Sequence, residues 1–187
     1  MTTELLPIRT FGDPILRERA QPIETFGPAL AHFAERMRLT MDTAGGKGLA
    51  GNQVGLLRQL FVWRDTDASA GACVNPEVLA VSEETGLDEE GCMSFPRLFR
   101  FAFERPLEVH VRYRDVSGGL HEATPVGRLA RTFLHEIDHL NGVLFIDHLA
   151  AHERARAEQA IAAGMLDDIP QPNGGPTPPH DERLTLQ

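Results

Sequence analysis

The chain has 187 residues, 42% of them apolar and 24% charged, with 27 Asp and Glu against 18 Lys and Arg for a formal net charge of −9. A length of this order folds as one domain that buries about 70% of its unfolded surface and needs no disulfide staples. The acidic balance argues against a general or sequence-specific nucleic-acid binder, whose footprint is a basic patch, and no run approaches the roughly 18 apolar residues of a membrane span.

At the N-terminus, MTTELLPIRTFGDP carries neither the basic nor the apolar region of an export signal. A cytoplasmic protein is therefore expected, with Cys73 and Cys92 kept reduced. Pro7 to Ile23 is Pro-punctuated and apolar only in patches, which predicts an irregular arm laid on the body. A first helix is expected from Pro28, with Leu30, Phe33, Met37 and Met41 as its core stripe and Gly45-Gly46 as its stop.

GKGLAGNQ, Gly46 to Gln53, is too rich in glycine for a helix interior, and it lacks the spacing of a phosphate loop. A strand is expected from Gln59 to Trp63, and strand material from Ala72 to Ser82, interrupted at Asn75-Pro76, with Cys73 as a small apolar core residue. Leu107 to Arg114 alternates: Leu107, Val109, Val111 and Tyr113 share one face, while Glu108, His110, Arg112 and Arg114 share a wet one. The DVSGG turn, Asp115 to Gly119, returns the chain through Leu120 to Thr124 as a hairpin, with His110 and His121 as solvated strand residues.

RTFLHEIDHLNG, Arg131 to Gly142, follows. On a helix, His135 and His139 lie one above the other and can share a metal ion. Glu136 is rotated one step from them, placed to handle protons on a water rather than to act as a ligand. Leu129, Phe133, Ile137 and Leu140 form an apolar stripe away from the histidines, so one side is buried and the other is chemical, and Gly142 fits a C-terminal cap. Asp138 reads as a structural partner inside the fold. Beyond Asp147 a helix is expected over about 150–165, and the remainder loses all periodicity. The expected architecture is α+β, with small antiparallel or mixed sheets packed around the central HExxH helix. Residues 1–166 are expected to form one catalytic domain and 167–187 a disordered tail.

Two imidazoles need a third ligand. A metzincin spacing, HExxHxxGxxH, requires histidine at position 145, which is Phe145. Glu153 and Glu158 lie downstream on a helix whose register nothing ties to the metal. Upstream, Cys92 sits in the polar, glycine-containing segment EGCMS, where it is poorly explained as core filler. A thiolate with two imidazoles makes a sound tetrahedral site with one open position.

Three stretches, GKGLAGNQ, EGCMS and LHEIDHLNG, occur in the order of the signatures GxGLAAxQ, EGCLS and QHExDHLxG, and on them the chain resembles the peptide deformylases. The FGDPILRERAQPI opening and the NPEV segment extend the likeness over roughly residues 6 to 149. The resemblance implies one divalent metal held by Cys92, His135 and His139, typically Fe2+, with Zn2+, Ni2+ or Co2+ able to take the site. It implies hydrolysis of the formyl group from N-formylmethionyl peptides: Glu136 moves the proton of the attacking water, and the Gln53 amide and the main-chain N–H of Met93 face the oxyanion. Gly46, Lys47, Gly48, Leu49 and Gly91 would border the extended peptide, with Arg100 near it.

Four positions depart from the signatures: Leu134, Gly51, Met93 and Lys47. Met93 is harmless because its main chain does the work, whereas Leu134, Gly51 and Lys47 leave open a related amidase or peptidase with another acyl specificity, and a noncatalytic metal-binding homologue is the further alternative. In some members the C-terminal helix docks on the ribosome. Here that helix would offer Arg154 and Arg156, but Glu153 and Glu158 beside them argue for a plain solvated face.

Overall fold

The computed structural model describes residues 4–66, 69–95, 100–165 and 186. Helix α1, Pro28–Ala44, starts on a proline and ends where Gly45 turns left-handed at φ 74°. Its stripe of Leu30, Phe33, Met37 and Met41 is buried, as its periodicity requires. Five strands form an antiparallel sheet: β1 Gly48–Ala50, β2 Leu60–Thr66, β3 Ser69–Val81, β6 Val109–Arg114 and β7 Leu120–Ala123, in the order β1-β2-β3-β6-β7. A separate antiparallel pair joins β4, Thr85–Glu90, to β5, Phe101–Pro106.

Alternation along β2 decides the layering. Leu60 and Val62 face one apolar cluster with α1, whereas Phe61 and Trp63 face another with helix α2, Gly127–Leu140. The large sheet is thus packed between α1 and α2. A third cluster gathers the arm (Ile15, Leu16), Phe95, Phe103, Phe145 and, from helix α3, Ala151–Ala160, Ala157.

The break expected at Asn75-Pro76 is a bulge rather than an end. Val74 pairs with Arg114 but Glu77 with Arg112, so β3 carries one extra residue there. Asn75 takes φ 50°, and its side-chain amide accepts from the Ile23 N–H and donates to the Ile23 carbonyl, both at 2.8 Å. The bulge thereby pins the arm. Other arm bonds run from Arg9 N–H to Gln53 O, Phe11 N–H to Ser94 O and Ala20 N–H to Leu140 O, at 2.7 to 2.9 Å, tying it to three segments.

Strand β6 begins later than its alternation suggests, because Glu108 makes only an isolated bridge to Val126. Its wet face is as expected: His110 and Arg112 meet Glu122 of β7, and His121 meets Asp115. Asn141 and Gly142 close α2. Gly142 N–H bonds His139 O and Val143 N–H bonds Asp138 O, both at 2.9 Å, with Gly142 at φ 75°. A side chain at Gly142 would also run into the Arg17 carbonyl. Helix α3 continues into a π-helical turn, Ile161–Met165. The tail expected over 167–187 lies outside the described residues apart from Leu186. Among the described residues no helix is long and apolar enough to cross a membrane.

Candidate metal centre

Helix α2 presents His135 and His139 from successive turns on a buried face, their ring centroids 4.8 Å apart. Strand β4 delivers the third group, since Cys92 lies two residues past its last member, Glu90. The Cys92 sulfur is 3.2 Å from His139 Nε2, and one donor atom from each of the three residues lies within 4.8 Å of the others. One thiol and two imidazoles are the donors that zinc or ferrous iron takes in a four-coordinate site. Two buried polar atoms here, Glu136 Oε2 and His139 Nδ1, have no hydrogen-bond partner among the described residues. The donor set fits a bound ion, and the unpartnered Glu136 oxygen lies beside it.

Phe145, at the position a metzincin gives to histidine, packs edge-on against Phe95 at 5.0 Å. Downstream, Glu158 is spent on Arg154 at 3.0 Å, so the C-terminal helix supplies no visible ligand from that residue.

Behind His135 lies a charged cluster of Glu90, Arg105 and Arg131, to which the sequence alone assigns no role. Glu90 Oε1 is 2.5 Å from His135 Nδ1. Arg105 clasps Glu90 through two nitrogens at 3.0 and 3.1 Å, and Arg131 adds a third contact at 3.1 Å. Burial works to raise the Glu90 carboxyl, but His135 and Arg105 outweigh it and hold the group at about 2. A carboxylate so ionised only accepts, so His135 carries its proton on Nδ1 and turns Nε2 toward Cys92 and His139. Arg105 also reaches Asp138 at 2.7 Å, and His148 bonds the same carboxylate oxygen at 2.8 Å, which is the structural role expected of Asp138. Burial is the main cause that pushes His139 well below the usual histidine range, toward the neutral imidazole that a metal binds.

Glu136 is fully enclosed, and burial raises its carboxyl to about 7. It lies over Gly48 of β1, where any side chain would collide with it. Gln53 comes from the short 3-10 turn Gly51–Val54: its Oε1 accepts the Ala50 N–H at 2.8 Å, which aims Nε2 at Cys92 Sγ and Ser94 Oγ, each 3.3 Å away. Met93 follows Cys92, and its sulfur lies against Gly46, 2.5 Å from where a Cβ would stand.

Gln53 thus touches Cys92, Gly48 lies against Glu136, Gly46 lies against Met93, and Gly91 and Met93 flank Cys92 in the chain, while Leu49 of β1 is buried in the cluster with α1. Lys47 is exposed, its ammonium 3.5 Å from the Asp65 carbonyl. Arg100 is not drawn into the cluster: its side chain is 53% exposed and lies 3.6 Å from Glu89. Cys73 is buried in the core as expected, and burial pushes its thiol far up.

Comparison with known proteins places this geometry. The family profile described as "Polypeptide deformylase" matches residues 5–155. A peptide deformylase of Thermotoga neapolitana is 47% identical over 147 residues, which are 79% of this chain and 88% of that protein. One from Methylocella silvestris is 38% identical over 185 residues, 95% of this chain and 94% of that one. Among solved structures, a peptide deformylase from Thermus thermophilus superposes with a TM-score of 0.81 at 36% identity, covering 87% of this chain and 96% of that chain. The Thermotoga maritima enzyme gives 0.75 at 43% identity, over 79% and 99%.

Proposed function

The chain belongs to the polypeptide deformylase family and is a hydrolase that releases the formyl group from new peptides, and from that premise we propose that Glu136, Gln53 and Met93 carry the reaction beside one divalent ion held by Cys92, His135 and His139. Bound there, the ion supplies Lewis acidity to the reacting carbonyl and to water. The observation that carries the assignment of roles is the enclosed Glu136 carboxylate, with one oxygen unpartnered among the described residues, next to three converging donors.

A carboxyl poised near neutrality both takes and returns a proton, so Glu136 accepts one from the attacking water and passes it to the departing amine of formyl-methionine. Gln53 Nε2, fixed by the bond from Ala50 N–H to Oε1, donates to the oxygen that gains charge, and the Met93 N–H is the second donor. One such preorganised donor contributes about 3 kcal/mol to the transition state. The Glu90 and Arg105 pair holds His135 in the tautomer a ligand needs.

Ferrous iron is the ion we assign, and metal analysis of anaerobically purified protein tests it. A cytoplasmic location follows from a substrate made by translation. Ribosome docking by α3 would fall to Arg156, because Arg154 is engaged by Asp147 and Glu158. Cosedimentation with ribosomes, equal for the full chain and for one ending at Leu149, would remove that role.

Formate release from formyl-Met-Ala-Ser by metal-loaded protein is the direct test of the site. Absence of formate would sink the reaction, and wild-type rates from Glu136→Ala would sink the assignment of Glu136.

A further inference from the structure

Strand β1 is the last strand of its sheet, paired with β2 alone among the described residues. Arg64 N–H donates to the Lys47 carbonyl at 2.9 Å, so the main-chain groups of Lys47 face β2. By strand alternation those of Gly48 face the uncovered edge. An extended peptide lying on that edge has its formyl end fixed by Glu136, which sits on Gly48. It can leave in one direction only. Past Ala50 the residues Gly51, Asn52, Gln53 and Val54 are all buried, whereas toward Lys47 the surface is open. The residues that follow formyl-methionine therefore pass Lys47.

Gly48 turns its absent side chain toward Glu136 and α2, so Lys47 leaves the strand on the opposite face. Its ammonium has no carboxylate within ion-pairing distance among the described residues. The nearest chemistry is the Asp65 carbonyl at 3.5 Å, while Asp42, the acid on that side of β2, is already clasped by Arg64 and Arg38 at 2.8 Å. Side chains on the same face of adjacent strands stand about 5 Å apart, well within the reach of a lysine.

We propose that Lys47 is a specificity-determining residue that pairs with an Asp or Glu side chain at the first or second position after formyl-methionine. The proposal rests on the deformylase reading above. It runs against the field of the whole molecule, since a net charge of −9 repels acidic peptides, and so an acidic preference has to come from a local cation.

The test compares kcat/KM for formyl-Met-Glu-Ser, formyl-Met-Ala-Glu and formyl-Met-Lys-Ser in wild type, Lys47→Met and Lys47→Glu, with metal content measured for each. The wild type is expected to favour the better acidic peptide over the lysine peptide by about five-fold, through KM, the scale of one exposed ion pair. That ratio should fall to one or below in Lys47→Met, invert in Lys47→Glu, and shrink in wild type at high salt. Because the ratio is internal to each sample, partial loss of folding or metal leaves it unchanged. Cleavage of all three peptides with a ratio that neither substitution nor salt alters would overturn the proposal. Failure to cleave any formyl peptide would instead overturn the reading beneath it.

Discussion

The carboxylate of Glu136 occupies the space a side chain on Gly48 would need: a Cβ built there overlaps Oε1 and lies 2.7 Å from Cδ. Gly48 has no positive φ to protect, so alanine suits its backbone, and the three atoms nearest its Cβ position all belong to Glu136. Gly48→Ala should therefore fold and keep its metal while displacing the carboxylate by roughly an ångström, a shift that can cost about 100-fold in rate. Formate release with parallel metal analysis checks this, and undiminished turnover would separate Glu136 from the chemistry.

Glu136→Gln should lower kcat by about 100- to 10,000-fold, the range for loss of a positioned acid–base group. Metal content should stay at the wild-type level, because the donors that converge are Cys92, His135 and His139. If the glutamine variant lost metal in proportion to activity, Glu136 would be acting as a ligand.

How far the sequence revealed this site depends on what kind of signal each residue gives. Spacing of four on an amphipathic helix reveals His135 and His139 directly, and the stripe of Phe133, Ile137 and Leu140 marks the side of α2 that packs on the sheet, although His135, Glu136 and His139 are buried too. Cys92 is recognisable because it sits in a segment with no apolar pattern to absorb it. The small sheet was not legible, because TGLDEE and FAFERP bury charge where a strand pattern looks for apolar residues. Glu90 and Arg105 share the inward face of this pair of strands with Phe103, and their ion pair, with Arg131, His135 and Asp138 around it, offsets the cost of burying them. Arg131 carried a usable signal, since it lies four residues before His135 on the same face of α2. The bulge at Asn75 looks like a break in the sequence because proline lacks the ladder donor, although the extra residue keeps the strand continuous.

Arg105→Met should destabilise the fold by about 3–5 kcal/mol, because it leaves the buried Glu90 and the half-buried Asp138 without their shared cation. Urea denaturation measures the loss. Glu90→Gln has a different target. It weakens the acceptor on His135 Nδ1, so chelator competition should show metal affinity reduced by about 10- to 100-fold. Unchanged affinity would mean that His135 is oriented by packing alone.

Asp147 predicts an acid-sensitive contribution to stability. Partial burial works to raise its carboxyl, but hydrogen bonds from Arg17 and the Leu144 N–H, with the charges of Arg17 and Arg154, outweigh burial and hold it below its ordinary 3.8. A carboxyl lower in the folded than in the unfolded chain stabilises fully above the unfolded value and loses that stabilisation as pH falls through the folded one. Asp147→Asn retains an acceptor for Leu144 and discards the charge. Its Tm should lie below wild type at neutral pH, and the gap should close as pH drops beneath the carboxylate range. Thermal melts of both proteins from pH 7 to pH 3 make the comparison, and a gap constant across that range would show that the bonds, not the charge, hold the 3-10 turn Phe145–His148 against the arm.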